Sequence, residues 1–185
     1  MIFEKVLGGE HLYLRSIELS DCTNNYLDWL KNEQVNRFLE TRWEEQSYAK
    51  IRKFIDDMRN SSHSYLFAIV TLPEKKHIGN IKLGPIYSHY MHADISYFIG
   101  DCEYWGRGYA TEAIKLVTKW AFSDLGLHKI QAGVFEENVG SIKALLKAGF
   151  IQEACYKENL VSPITGKYCD HLVFGKINPN QGAKP

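Results

Sequence analysis

YWGRGYATEAIKLVTKWAF (Tyr104–Phe122) sets two glycines around an arginine and then runs straight into a regular amphipathic pattern. Its apolar positions Ala110, Ala113, Ile114, Val117, Trp120 and Ala121 fall on one stripe of a helix, which Gly126 ends. The start of that helix carries no Ser, Asp or Asn cap, so its first backbone amides have no side-chain acceptor. Glycines let backbone N–H groups turn toward a bound group at close range, and the helix dipole adds roughly half a positive charge at that end. Two readings fit the stretch: a loop that holds a phosphate or pyrophosphate, or a glycine-rich turn bonded to water.

Before the loop the rhythm is mostly that of strands. HLYLRSI (His11–Ile17) alternates, and Ser20 or Asp21 is expected to cap a helix holding Tyr26, Leu27, Trp29 and Leu30. A second helix is expected near Gln46 to Arg59. SYLFAIVT, KHIGNIKLG and HADISYFIG then read as three strands of an antiparallel meander. After the glycine loop and its helix come a strand, KIQAGVF, a helix, NVGSIKALLKAG, and two closing strands, FIQEACY and CDHLVFGKI. The order β-α-α-β-β-β-α-β-α-β-β implies an α+β (mixed α/β) chain: one mixed, mostly antiparallel sheet of about seven strands with four helices on its faces.

The chain has 185 residues, 45% of them hydrophobic and 13% aromatic, enough for one sizeable core but hardly two. Residues 1–178 are expected to form a single domain and residues 179–185 a polar tail. Lys plus Arg equals Asp plus Glu at 22 each, so no whole-molecule field favours nucleic acid or an anionic membrane, and any anion site must be local. No run approaches the ~18 apolar residues of a membrane span, and a cytoplasmic protein is expected. Cys22, Cys102, Cys155 and Cys169 lack any C-x-x-C spacing, which suits reduced thiols. His89 and His92 stand without a third ligand nearby, so no metal is expected.

The segment ENVGSIKALLKAGF brings the loop into context. Asn138 is placed as an N-cap, Ser141 falls in the first turn, and Gly149 stands where a left-handed residue ends a helix. Gly106-Arg107-Gly108 before a helix, then a strand, then N-x-x-S closed by Gly149-Phe150, resembles the acyl-CoA-binding half of the GNAT N-acetyltransferases. The likeness is strongest over 95–156, and the preceding element order extends it to nearly the whole chain. YWGRGYATEA is most similar to the branch with ribosomal-protein N-terminal acetyltransferases, while VNRFLETRW and HIGNIKLGPI look more like members acting in amino-sugar synthesis.

The resemblance implies acetyl-CoA as co-substrate and a sheet whose central strands splay apart. It places the amides of Trp105, Gly106, Arg107, Gly108, Tyr109 and Ala110 at the coenzyme diphosphate, with Arg107 lending charge, and Asn138 at the pantetheine arm. Phe98 and Ile99 fall where the splayed strand pairs with pantetheine and supplies an oxyanion amide. Two positions depart from the family. Glu103 stands where Gln or Arg is frequent, and Leu145 replaces the tyrosine that protonates the departing thiolate. Ser141 is the nearest substitute donor by position, although a serine there also suits capping.

The acceptor implied is a small-molecule amine or a protein N-terminus, and it must lose a proton before attacking the thioester. Asp94, at the start of the central strand and on one face with Ser96 and Phe98, is the first candidate base, and Glu158 is the second. Arg37, Glu40 and Arg42 lie in the loop that borders the acceptor pocket in this family; either arginine would clamp a phosphate, or both would serve surface ion pairs. Asn80 and Lys82 alternate along GNIKLG and are candidates for the same cleft. An amino sugar linked to a nucleotide is the leading acceptor, and a ribosomal-protein or peptide α-amine the alternative. A non-catalytic acyl-CoA-binding module is the rival without chemistry. A dinucleotide oxidoreductase fails, because the third glycine of its fingerprint would fall at Thr111 and the preceding strands look antiparallel. A homodimer is a family-level expectation only.

Overall fold

In the computed structural model, residues 3–180 are described, so most of the expected tail lies outside them. The strands are β1 Leu7–Gly8, β2 Leu12–Ser16, β3 Tyr65–Thr71, β4 His77–Tyr87, β5 His92–Ile99, β6 Lys129–Phe135, β7 Ile151–Val161 and β8 Tyr168–Ile177. They form one sheet in the order β1-β2-β3-β4-β5-β6-β8-β7. Every neighbouring pair is antiparallel except β5 and β6, which run parallel. The helices are α1 Asn24–Lys31, α2 Glu33–Asn36, α3 Tyr48–Asn60, α4 Tyr109–Ser123 and α5 Val139–Lys147.

The sheet thus has eight strands where about seven were expected, and five α-helices where four were expected. Both additions are too short to carry a period. β1 is two residues paired to β2, and α2 is one turn whose cap, the Asn32 side chain, accepts from Gln34 N. The cap of α1 is also corrected. Thr23, not Ser20 or Asp21, accepts from Tyr26 N at 3.3 Å. Asp21 is held elsewhere: Arg15 grips both its carboxylate oxygens at 2.7 and 2.6 Å, and the Glu18 amide donates to it. That bidentate grip, on a residue 6% exposed, holds the Asp21 carboxylate below its usual range against the opposing pull of burial, and fixes a 3-10 turn ahead of the helix.

Two apolar layers cover the sheet. On one face α4 lays Ala113, Ile114, Val117 and Ala121 against Leu14, Phe67, Ile81 and Ile95, while Ala144 and Leu145 of α5 close the same core. On the other, α1 and α3 bring Tyr26, Trp29, Ile51 and Ile55 onto Leu66, Ala68 and Val70. Trp120 anchors the first layer, with Phe3, Tyr65 and Phe67 around its ring at centroid distances of 4.9, 4.9 and 5.6 Å.

The feature that matters for function lies at the centre. β5 and β6 pair only through His92↔Lys129, Ala93↔Ile130 and Asp94↔Gln131, although β5 continues to Ile99 and β6 to Phe135. Beyond Asp94 the sheet is split. Trp120→Ala, which removes the ring shared by α4, β3 and the N-terminal segment, is expected to cost about 3–5 kcal/mol, readable as a lowered midpoint in urea unfolding followed by circular dichroism.

Candidate active site

The α4 end of the split is built by backbone. Gly106 has φ +73° and Gly108, the residue before α4, has φ +92°, both in the left-handed region that disfavours a side chain. A Cβ at either position would meet nothing within 4 Å, so conformation, not crowding, calls for glycine there. No side chain caps α4, as the sequence suggested, and its first amides face a cleft. That cleft, about 620 Å³, is lined by Tyr104 to Gly106, Gly108 to Thr111, the start of α5, and Tyr97 to Ile99 of β5. Arg37, Lys143 and Lys147 bring cations to its walls. The two lysines, four apart on α5, escaped notice in the sequence because a lysine pair on a helix ordinarily just faces solvent. Arg107 and Glu103 lie outside the lining; the Arg107 guanidinium stands 5.7 Å from the Tyr104 ring.

Alternation along β5 decides which backbone groups meet the cleft. Gly100 N donates to Ile78 O of β4 at 2.8 Å, so Gly100 and Phe98 turn their backbone groups toward β4. Tyr97 and Ile99 therefore turn theirs into the split. One of these, the Ile99 carbonyl, accepts from Trp105 Nε1 at 2.8 Å. Phe98 contributes its ring to the walls.

A second cavity of about 860 Å³ lies on the α1 and α3 side of the sheet. Its walls include Tyr26, Phe38, Glu40, Phe54, Asn80, Lys82, Ser96, the stretch from Ala132 to Phe135, and His171. Tyr97, Phe98, Asn138 and Ser141 line both spaces, so the two meet at the mouth of the split. There the Asn138 side chain caps α5 by accepting from Ser141 N at 3.2 Å. The Ser141 hydroxyl is consequently free of capping duty and stands 2.8 Å from the Tyr97 hydroxyl, which also donates to the Ser141 carbonyl at 3.2 Å. Burial pushes the Tyr97 phenol up to about 12, with the Ser141 contact opposing it.

The other sequence candidates scatter. Asp94 forms the last paired rung of β5, at the closed base of the split; it lines neither cavity, and its Oδ1 is buried without a partner. Glu158 is exposed at φ +49° in an irregular stretch of β7, with its amide donating to Asp170, and lies outside both cavities. Arg37 belongs to the cleft and not to the second cavity. Arg42 lines neither: it stacks over Trp43 and Phe135 at 4.3 and 5.0 Å and donates to the Leu39 carbonyl. Asn80 is 2% exposed, and its Oδ1 lies 2.9 Å from His77 Nε2. The Gly79 carbonyl, 3.0 Å from the same nitrogen, can only accept, so Nε2 carries a proton and the Asn80 oxygen receives it. His171, which burial holds below the ordinary histidine range, was not singled out in the sequence, where it is one polar residue of an alternating strand.

Among the described residues no group of three His, Cys, Asp or Glu converges to hold a metal, and no helix is long and apolar enough to cross a membrane. The profile of a family described as "Acetyltransferase (GNAT) domain" matches residues 11–151. A probable N-acetyltransferase, YjcK, of Bacillus subtilis (strain 168) is 31% identical over 182 residues, covering 95% of this chain and 98% of the relative. Among solved structures, a ribosomal-protein-S5-alanine acetyltransferase from Vibrio fischeri superposes with a TM-score of 0.77 at 22% identity, covering 97% of this chain and 100% of that one. Spermidine N-acetyltransferase from Vibrio cholerae, in complex with CoA and spermine, does so at 0.78 and 22% identity, over 90% and 95%. The split sheet, the uncapped glycine-flanked helix and these likenesses converge: the chain belongs to the GNAT family and is an N-acetyltransferase.

Proposed function

We propose that the chain transfers the acetyl group of acetyl-CoA to a primary amine by direct attack, with both substrates bound at once in the two spaces that meet at the split. The observation that carries this reading is the shared wall: Tyr97, Phe98, Asn138 and Ser141 border the cleft and the second cavity alike. The residues present suit CoA. The uncapped amides of α4 and the cations Arg37, Lys143 and Lys147 face one cleft, which fits a diphosphate carrying a further phosphate. The backbone groups of Tyr97 and the Ile99 amide, turned into the split, offer hydrogen bonds to an extended amide chain, and one of these amides is aimed where charge develops on the thioester oxygen. The Ser141 hydroxyl, supported by Tyr97, donates the proton that the leaving thiolate requires. Holding both reactants side by side supplies a large share of the acceleration through proximity.

For the acceptor, the cavity favours an amino sugar linked to a nucleotide. Aromatic walls at Phe38, Tyr26 and Phe54 beside Asn80, Lys82 and Ser96 suit a hydroxylated ring. The lining carboxylates are already matched: Glu40 with Arg42 at 3.7 Å, Glu44 with Lys50 at 3.0 Å and Asp57 with Lys53 at 2.6 Å. A polyamine, which the Vibrio cholerae neighbour acetylates, would therefore find no surplus of negative charge here. The likeness to a ribosomal-protein acetyltransferase keeps a peptide α-amine as the second reading.

Thiol release from acetyl-CoA, measured with a UDP-linked amino sugar, an N-terminal peptide and spermidine, is expected to rank the sugar first by about tenfold or more, the ratio that ~1.4 kcal/mol gives. A clear preference for spermidine would retire the sugar reading. Gly108→Val, forcing a β-branched residue into a left-handed conformation, is expected to abolish the calorimetric heat of CoA binding while the far-UV spectrum stays unchanged. Tyr97→Phe is expected to lower kcat about tenfold, the loss of one hydrogen bond worth ~1.4 kcal/mol, at constant CoA affinity.

A further inference from the structure

The amine must be deprotonated, and the two carboxylates that the sequence suggested for this task lie outside the acceptor cavity. The titratable groups that do line it sort themselves by chemistry. Tyr26 and Tyr97 are held protonated well above neutrality by burial. Glu40, Glu44 and Asp57 are engaged with Arg42, Lys50 and Lys53, and Lys82 is a further cation without an ion-pair partner among the described residues.

We infer that His171 is the general base of the transfer, because its imidazole lies on the acceptor-cavity wall directly over Gly133 of β6, the strand that bounds the split opposite Ser96 and Phe98. This assignment rests on the acetyl-transfer reading above. β8 presents His171 opposite Phe135, on the face of the sheet that the missing side chain of Gly133 would share. A Cβ at position 133 would overlap His171 Nε2, so this glycine is what lets the ring settle against the β6 backbone. The other ring nitrogen, Nδ1, is 3.4 Å from the Asn159 side-chain amide. The atom at that distance is the amide nitrogen Nδ2; with the amide turned by half a turn about its Cβ–Cγ bond, its oxygen would accept from Nδ1–H and leave the Nε2 lone pair free.

The surroundings favour the neutral ring. From β7 it meets the Tyr156 ring, at 5.9 Å between centroids, and the uncharged Asn159; from β6 it meets Gly133 and Phe135. Its sequence neighbour Asp170 is occupied by Lys157, the Glu158 amide and Cys155. The charged groups of the facing walls are Lys82 of β4, Glu40 and Glu44 of the loop, and Lys50, Lys53 and Asp57 of α3. Burial, with no carboxylate bound to the ring, holds His171 below 6.5. The proton balance closes. Nε2 takes one proton from the ammonium of the acceptor and later releases it to solvent. The freed nitrogen attacks the thioester carbon and a C–N bond forms as the C–S bond breaks; the departing thiolate takes the Ser141 hydroxyl proton, the acylated nitrogen loses its second proton to water, and Ser141 is reprotonated from water.

The sign follows from the lowered value: the neutral, competent ring predominates above its pKa, and activity is lost as pH falls through it. Thiol release with the UDP-linked amino sugar, spermidine and N-terminal peptide as probes should therefore plateau above about pH 6.5 in the wild type. His171→Gln should lower kcat/KM about 100-fold at pH 7 and leave log kcat/KM rising steadily with pH, at unchanged affinity for CoA. Gly133→Ala, which keeps the imidazole but pushes it off the split, should lower kcat with the same unchanged affinity. A His171→Gln profile that still breaks to a plateau at the same pH as the wild type overturns the assignment. Should no probe turn over, the acetyl-transfer reading itself is in question, and the imidazole is read directly: an NMR titration of the CoA-bound protein is expected to show His171 titrating below 6.5, and a value above 7 overturns its role as base.

Discussion

The structure depends on two strands that stop pairing. After Asp94↔Gln131, β5 and β6 continue side by side without a ladder, which leaves backbone donors and acceptors exposed in the middle of a sheet. Buried backbone groups are costly to leave unmet, and here the surrounding fold keeps them that way. Antiparallel pairing on both outer flanks, β5 with β4 and β6 with β8, holds each strand from its far side, so the two can diverge without either being lost. The Trp105 indole satisfies the Ile99 carbonyl and so shows how readily a donor is accepted at this edge. Under the proposed function, the exposed edge would suit the extended amide chain of the coenzyme, which can meet several groups in register.

The same split would let a chain of balanced charge bind a polyanion such as the proposed coenzyme. With 22 basic and 22 acidic residues there is no global field to use, so attraction must be local and oriented. The left-handed backbone at Gly106 and Gly108 frees the opening turn of α4 from any cap, and the α5 lysines and Arg37 stand around the same space. Fixed dipoles and a few nearby cations act at short range, where screening by salt matters least.

How much of this the sequence could tell depended on whether the information was local. The glycine loop, the Asn138 cap and the element order were readable because each is written in a run of neighbouring residues. Asn138 caps α5 and Gly108 precedes α4 as the pattern indicated. The base inferred above was not readable in that way. Asp94 lies on the expected strand, but its position relative to the split depends on how far β5 pairs with β6, which is a property of two segments 37 residues apart in register. His171 carries no local mark, since its placement follows from the β6–β8 register and from a glycine on another strand. Arg42 was misleading for a related reason: a planar cation among aromatics suits a phosphate clamp and a stacked structural role alike, and only the positions of Trp43 and Phe135 decide.

A reaction centre assembled from segments so distant in sequence needs something to hold its parts in register. The β6–α5 connection and the β7–β8 hairpin are tied together at two places: Ser162 donates to the Glu137 carboxylate at 2.7 and 2.8 Å, and the Asp170 amide donates to Glu136 at 2.9 Å. Glu137 adjoins Asn138, which caps the helix carrying Ser141, and Asp170 adjoins His171. Under the proposed mechanism these contacts link the side that protonates the leaving thiolate to the side that deprotonates the amine. Because Ser162 is 2% exposed, the link is shielded from competing water and is stiffer than a surface pair of the same geometry. Catalysis by proximity tolerates errors of well under an ångström, and under the proposed mechanism that tolerance rests on hydrogen bonds between the segments that frame the two spaces.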